Sequence, residues 1–156
     1  MKIISLIILL ITISNNGWAE DCPTLPIEIQ NAIEQHISNL KAFEYCNARK
    51  LKSEKGITIA IYTAEGACVD LDPQAAPGTC SNKWVRYIVS LKDKKVSQPI
   101  EVGEKGGFSD QNIKISSKTI ELRGLSNGKN DPLCCPSIPT TKKFKITQSG
   151  LIETHP

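Results

Sequence analysis

Two adjacent cysteines held between prolines, in Asp131-Pro132-Leu133-Cys134-Cys135-Pro136-Ser137, constrain this chain more than any other stretch. They make a rigid cross-linking point whose meaning depends on the compartment where the chain folds. The N-terminus bears on that question. Lys2 precedes an apolar run from Ile3 to Ile13, interrupted only by Ser5 and Thr12, and Gly17-Trp18-Ala19 has the small residues expected before a signal-peptidase cut. The run is shorter than the roughly 18 to 20 apolar residues that span a bilayer. Cleavage after Ala19 is therefore expected, giving a periplasmic or secreted protein with no transmembrane segment after cleavage. Cys22 lies near the cut and raises lipid attachment, but Glu20 and Asp21 stand where such signals use small residues.

Cleavage removes 19 of 156 residues and leaves 137, room for one α+β domain over residues 20–156. All six cysteines, Cys22, Cys46, Cys68, Cys80, Cys134 and Cys135, survive the cut. An even number in a small exported domain reads as a set of disulfides. The Lys and Arg count falls from 19 to 18 against 16 acids, a surplus too small to imply a nucleic-acid partner.

Apolar spacing gives the organisation. Ile29, Ile33, Ile37, Leu40 and Phe43 recur at three and four residue steps, which predicts an amphipathic helix over about residues 26 to 44, with Pro26 in its first turn. Beyond Gly56 the period becomes two. Ile57, Ile59 and Ile61 share one face of a strand, Trp84 to Leu91 forms another, and Lys92-Asp93-Lys94-Lys95 turns into Val96 to Val102, where Pro99 implies an edge or a break. Asn112 to Ser116 pairs with Thr119 to Leu125, and Thr141 to Thr147 pairs with Leu151 to Thr154 across a three-residue turn, Gln148-Ser149-Gly150. The expectation is an N-terminal helix packed on a mostly antiparallel meander sheet of about six to seven strands, stapled by disulfides.

Cys68 and Cys80 bracket an irregular stretch containing Asp72-Pro73 and Pro77-Gly78, so they are expected to pair. Closing such a loop stabilises by about 3 kcal/mol in the chain-entropy model. A Cys134–Cys135 bond is disfavoured because neighbouring Cα atoms lie about 3.8 Å apart, against roughly 4.4 to 6.8 Å in ordinary disulfides. Cys22–Cys46 is disfavoured because a helix of about 18 residues separates its ends by about 27 Å. The remaining arrangement has Cys22 and Cys46 each reaching one member of the adjacent pair.

Motifs for chemistry are sparse. There is no C-x-x-C pair for zinc or thiol redox work, and Asp70 and Asp72 fall short of a calcium loop. Ser81, Ser109 and Ser137 lack a nucleophile elbow, and His36 has only His155 as a companion. Gly103-Glu104-Lys105-Gly106-Gly107 lacks the spacing of a phosphate-binding loop. No catalytic, cofactor-binding or metal residue is therefore assigned, and no cofactor is expected. Glu65 with Glu101 or Glu104 remains the one acid–base pairing on offer. Lys142, Lys143 and Lys145, with Lys92, Lys94 and Lys95, make two basic spots suited to anionic glycans or lipid headgroups, or to guarding strand edges. Trp84 joins Lys142, Lys143 and Lys145 as a candidate contact surface.

At Asp131 to Ser137, followed by Phe144 and Leu151, the chain resembles bacterial envelope proteins that carry a D-P-x-C-C-P-S signature, LppP/LprE-type lipoproteins among them. The resemblance extends to Tyr62-Thr63-Ala64-Glu65-Gly66 and to Trp84 through Leu91. It implies an exported β-rich domain and brings no catalytic residues; this chain departs from it in lacking a lipobox. The function expected is a binding module that presents stapled loops to an envelope or extracellular macromolecule. The alternatives are a carboxylate-dependent enzyme on an envelope polymer and a purely structural envelope component.

Overall fold

The computed structural model describes residues 22–154, so the predicted signal segment and His155 lie outside the described residues. One helix, α1 (Ile27–Leu40), is followed by ten strands: β1 (Phe43–Glu44), β2 (Lys50–Glu54), β3 (Ile57–Glu65), β4 (Trp84–Lys92), β5 (Lys95–Val96), β6 (Ile100–Glu104), β7 (Ser109–Ile115), β8 (Thr119–Ser126), β9 (Ile138–Thr147) and β10 (Gly150–Thr154). All strand pairings are antiparallel, but they form two sheets where a single meander is expected from the sequence. In the first, β3 and β4 are central, β1 and β2 share one edge, and β5 and β6 share the other. The second runs β10-β9-β8-β7.

The two-sheet arrangement follows from β3, which is apolar on both faces. Ala60 and Tyr62, with Val89 of β4, meet Ile29 and Ile33 of α1. Ile57, Ile59 and Ile61, with Ile88, point the other way, and a single helix cannot cover both faces. The second sheet covers them with Ile113, Ile115, Ile120, Leu122 and Phe144. The isoleucine face thus meets the second sheet, not the helix. Truncating one of these fully buried side chains, as in Ile61→Ala, costs about 2–5 kcal/mol.

The helix is shorter than its apolar spacing suggests. Lys41 adopts a left-handed conformation, φ 50°, and its N–H bonds Ser38 O while Ala42 N–H reaches Ile37 O, closing the helix and reversing the chain. Phe43, expected on the buried stripe, lies on β1 and is exposed. This reversal also corrects the cysteine assignment, since Cys22 is joined to Cys46 with Cα atoms 5.3 Å apart. Both flanks of the helix fold back toward each other. Arg49 holds them there: it bonds Pro23 O at 2.9 Å and clasps Glu44 through two hydrogen bonds of 2.8 and 2.7 Å.

Two tight turns explain strand boundaries. Lys55 and Gly56 have φ of 54° and 73°, the signature of a two-residue I′ turn, so β2 precedes β3 in a hairpin absent from the apolar pattern of the sequence. Asp93 and Lys94, at 49° and 61°, close β4 onto β5 in the same way. The strand expected over Val96 to Val102 breaks between β5 and β6, around Pro99. The last hairpin uses a two-residue turn instead of the expected three, because Gly150 pairs with Thr147.

Candidate functional site

Two of the three disulfides gather at one end of the sandwich, where β3 ends, β4 begins and β6 passes into β7. Cys68 and Cys80 are joined, with Cα atoms 4.9 Å apart, and the loop between them is docked by backbone contacts. Cys68 and Val69 donate to Leu40 O at 3.1 and 3.3 Å, Gly78 N–H bonds Lys41 O at 2.9 Å, and Lys41 Nζ reaches Pro73 O. Asp72 forms a turn within the loop, its Oδ1 accepting from Gln74 N–H at 2.9 Å. The Phe43 ring lies so close to Gly78 that a Cβ there has no room.

The long connection between β8 and β9 lies at the same end, against the β6–β7 turn. Cys134 and Cys135 are bonded to each other, with Cα atoms 3.8 Å apart, not to Cys22 and Cys46 as expected. With Cys22 and Cys46 occupied, the only thiol left to each is its neighbour, and a turn closed by Cys135 N–H on Pro132 O at 3.0 Å holds the pair. Asp131 organises the connection. Its carboxylate accepts from Gly128 N–H at 2.7 Å, Ser137 N–H at 2.9 Å and the Ser137 hydroxyl at 2.8 Å. Those donors, the Gly128 amide first, hold its pKa below the ordinary carboxylate value. Leu133 lies over Gly106 in the β6–β7 turn and is 68 % exposed.

The residues singled out from sequence are dispersed. Trp84 begins β4, half-buried and opposite Glu65, whereas the basic trio lies on β9 in the other sheet. The trio itself is split by strand alternation. Lys142 lies on the Phe144 side, 5.7 Å from the Phe108 ring centre and 3.4 Å from Glu153, while Lys143 and Lys145 lie on the outer side. Glu65 belongs to the β3 face that looks toward the second sheet, and Glu101 pairs with Tyr87 on the helix side of β4. They sit on opposite faces and make no acid–base couple. Among the described residues no three His, Cys, Asp or Glu side chains converge as metal ligands.

Two polar clusters escaped sequence reasoning. Asp110 of β7, with its side chain 1 % exposed, pairs with Arg86 of β4 through Oδ1 and with Lys50 of β2 through Oδ2 at 2.8 Å. Arg86 Nη2 also bonds Ala48 O at 3.3 Å. Burial lowers the Arg86 pKa, and Asp110 opposes that shift, so the triad links the two sheets as a charged rivet. Under the helix, His36 Nδ1 and Tyr62 Oη share a 2.7 Å hydrogen bond, and Tyr87 meets the imidazole edge-on at 4.5 Å. Burial lowers the His36 pKa. Burial, then Tyr87 and Glu44, push the Tyr62 phenol far above its ordinary value. A neutral imidazole bonded to a protonated phenol is a packing arrangement.

Comparison with protein-family models, curated proteins and solved structures returns no match. No helix among the described residues is long and apolar enough to cross a membrane.

Proposed function

We propose that this chain is an exported, non-catalytic interaction module of the cell envelope that contacts a macromolecular partner through its stapled end; the D-P-x-C-C-P-S resemblance supports the exported, β-rich part of this reading. One observation carries this reading: large apolar side chains are exposed on or beside the pinned segments. Phe43 is 61 % exposed, Leu71 64 % and Leu133 68 %, with Tyr45 and Val69 nearby in sequence. Burying such groups against a partner gains roughly 1.5–3 kcal/mol each in transfer free energy. Covalent pinning means that less loop entropy is lost on binding.

The test places a photo-crosslinking amino acid at Leu133 or Phe43 and illuminates the intact envelope. The reading expects one discrete adduct from these positions and none from exposed Lys114 on β7. It fails if all three positions give the same smear, the result expected of a purely structural component. It fails equally if no adduct forms while the purified protein hydrolyses an envelope polymer.

A further inference from the structure

The opposite end of the sandwich carries no cysteine, and there the β4–β5, β7–β8 and β9–β10 turns surround an open cleft of about 1090 Å³. The basic spots that are far apart in sequence meet in it. Lys92 and Lys95 come from the first sheet, Lys118 and Lys145 from the second. Among the described residues none of these four lysines has a carboxylate within ion-pair distance, whereas Lys50, Lys52, Lys55, Lys83 and Lys142 all do. Among the described residues Asp93 is the only acid on the lining. The cleft thus has a surplus of three cations, whereas the chain expected after cleavage carries 18 Lys and Arg against 16 acids, so the remainder is slightly acidic. Positive charge is concentrated here.

Both walls are held by hydrogen bonds. Ile146 N–H donates to Lys118 O at 2.8 Å and ties the β7–β8 turn to β9 beside Lys145. On the other wall Ser97 N–H bonds Ser90 O at 2.8 Å and the Ser97 hydroxyl accepts from Ser90 N–H at 3.0 Å. Gly150, with φ of 124°, brings the last turn onto Ser97: a Cβ at that position comes within 3.2 Å of the serine Cβ. The remaining lining is rich in hydroxyl and amide groups, including Ser117, Thr147, Gln148 and Ser149.

We infer that this cleft binds an anionic glycan, a polysaccharide carrying sulfate, phosphate or carboxylate groups, at a site separate from the stapled end. Four lysines on the lining, none with a carboxylate partner among the described residues and Lys145 reaching it from the outer side of β9, supply the attraction, and the hydroxyl and amide lining matches a ligand covered in hydroxyls. An acidic peptide asks for apolar and aromatic anchors, and the lining has only Val96 and Ile146 as large apolar residues. A membrane surface asks for several apolar side chains that insert beside the lysines, and of the large exposed ones only Ile152, opposite Lys145, is near, while Phe43, Leu71 and Leu133 are elsewhere.

The experiment uses the disulfide-bonded protein purified from producing cells and dextran sulfate as the probe, with neutral dextran and phosphatidylglycerol vesicles alongside. Binding of dextran sulfate that weakens with salt, with neutral dextran ignored, is expected. Lys95→Glu with Lys118→Glu reverses two of the four charges and should weaken binding about tenfold or more, while Lys114→Glu with Lys129→Glu, the same charge change outside the cleft, should change it less than about threefold. In the unaltered protein a short sulfated oligosaccharide should shift the amide resonances of Ser117 and Gln148 and leave those of Leu71 and Leu133 in place. Equal losses in the two double variants overturn the inference. So do shifts spread over the whole surface, or binding to vesicles without binding to dextran sulfate. Failure here leaves the crosslinking result at Leu133 and Phe43 unaffected, because the two sites lie at opposite ends.

Discussion

The two ends of this sandwich are held by different chemistry. At the stapled end, irregular connections are fixed by the Cys68–Cys80 bond, by the Asp131 carboxylate and by the nearby Asp110 triad. At the lysine end, the strands are joined by two-residue turns that need no covalent help, and like charges are left unpaired around a cleft. Long connections that lack regular hydrogen bonding need an external constraint, whereas short hairpins carry their own. The stapled end can therefore display apolar groups on a fixed surface, and the lysine end can concentrate charge on a rigid frame.

The largest effect expected of a single change falls beside the stapled end. Asp110→Ala leaves Arg86 buried without its counter-charge and should cost about 3–5 kcal/mol, read as a lowered urea midpoint. A cost below about 1 kcal/mol would show that the sheets do not depend on the rivet. Next, Cys68→Ser with Cys80→Ser opens a loop of sequence separation 12 and should cost about 3 kcal/mol, with proteolytic cutting between residues 69 and 79 in the native state.

Turn chemistry should act at the other end with the opposite sign. Lys94→Gly relieves a non-glycine residue held at φ 61° and should raise stability by about 1 kcal/mol, visible as an increased thermal midpoint. A decrease would mean that Lys94 makes contacts worth more than its backbone strain.

A smaller effect links the helix to pH. The folded state holds His36 below its ordinary pKa, so protonation favours the unfolded chain. That contribution is fully present above the unfolded value of about 6.5 and is lost as pH falls from there through the folded pKa. Denaturation midpoints should drop between pH 7.5 and 5.5 in the unaltered protein and drop less in His36→Gln; parallel curves would assign the pH response to other groups. The smallest effect is expected at Cys134→Ser with Cys135→Ser. A bond between neighbours closes almost no loop, so equilibrium stability should change by no more than about 0.5 kcal/mol. The Leu133 crosslink should nevertheless weaken, since the bond shapes the connection that displays it.

Much of the scaffold is legible in residue spacing. Ile29 and Ile33 mark the buried side of the helix, and the alternation through Ile57, Ile59 and Ile61 marks the central strand. The β2 strand is not legible, because Lys50, Lys52 and Ser53 give no apolar alternation; it forms because β3 needs an edge partner and its lysines reach β7, Lys50 Nζ meeting Asp110 O at 2.6 Å. Arg86 and Asp110 look like ordinary strand and loop charges until burial joins them. Lys118 is a lone turn lysine in the sequence, away from the richer basic spots, yet it lines the same cleft as Lys92, Lys95 and Lys145.

Residue spacing alone carries the α+β class, most of the antiparallel hairpins and the pairing of Cys68 with Cys80, because these follow from local periodicity and short loops. Long-range packing settles that there are two sheets, that Cys22 meets Cys46, that Cys134 bonds its neighbour, and that distant lysines share one cleft. Each of these depends on where the chain reverses. A left-handed Lys41 or a two-residue turn at Lys55-Gly56 is a conformation that apolar spacing does not encode, and it sets which remote surfaces come together.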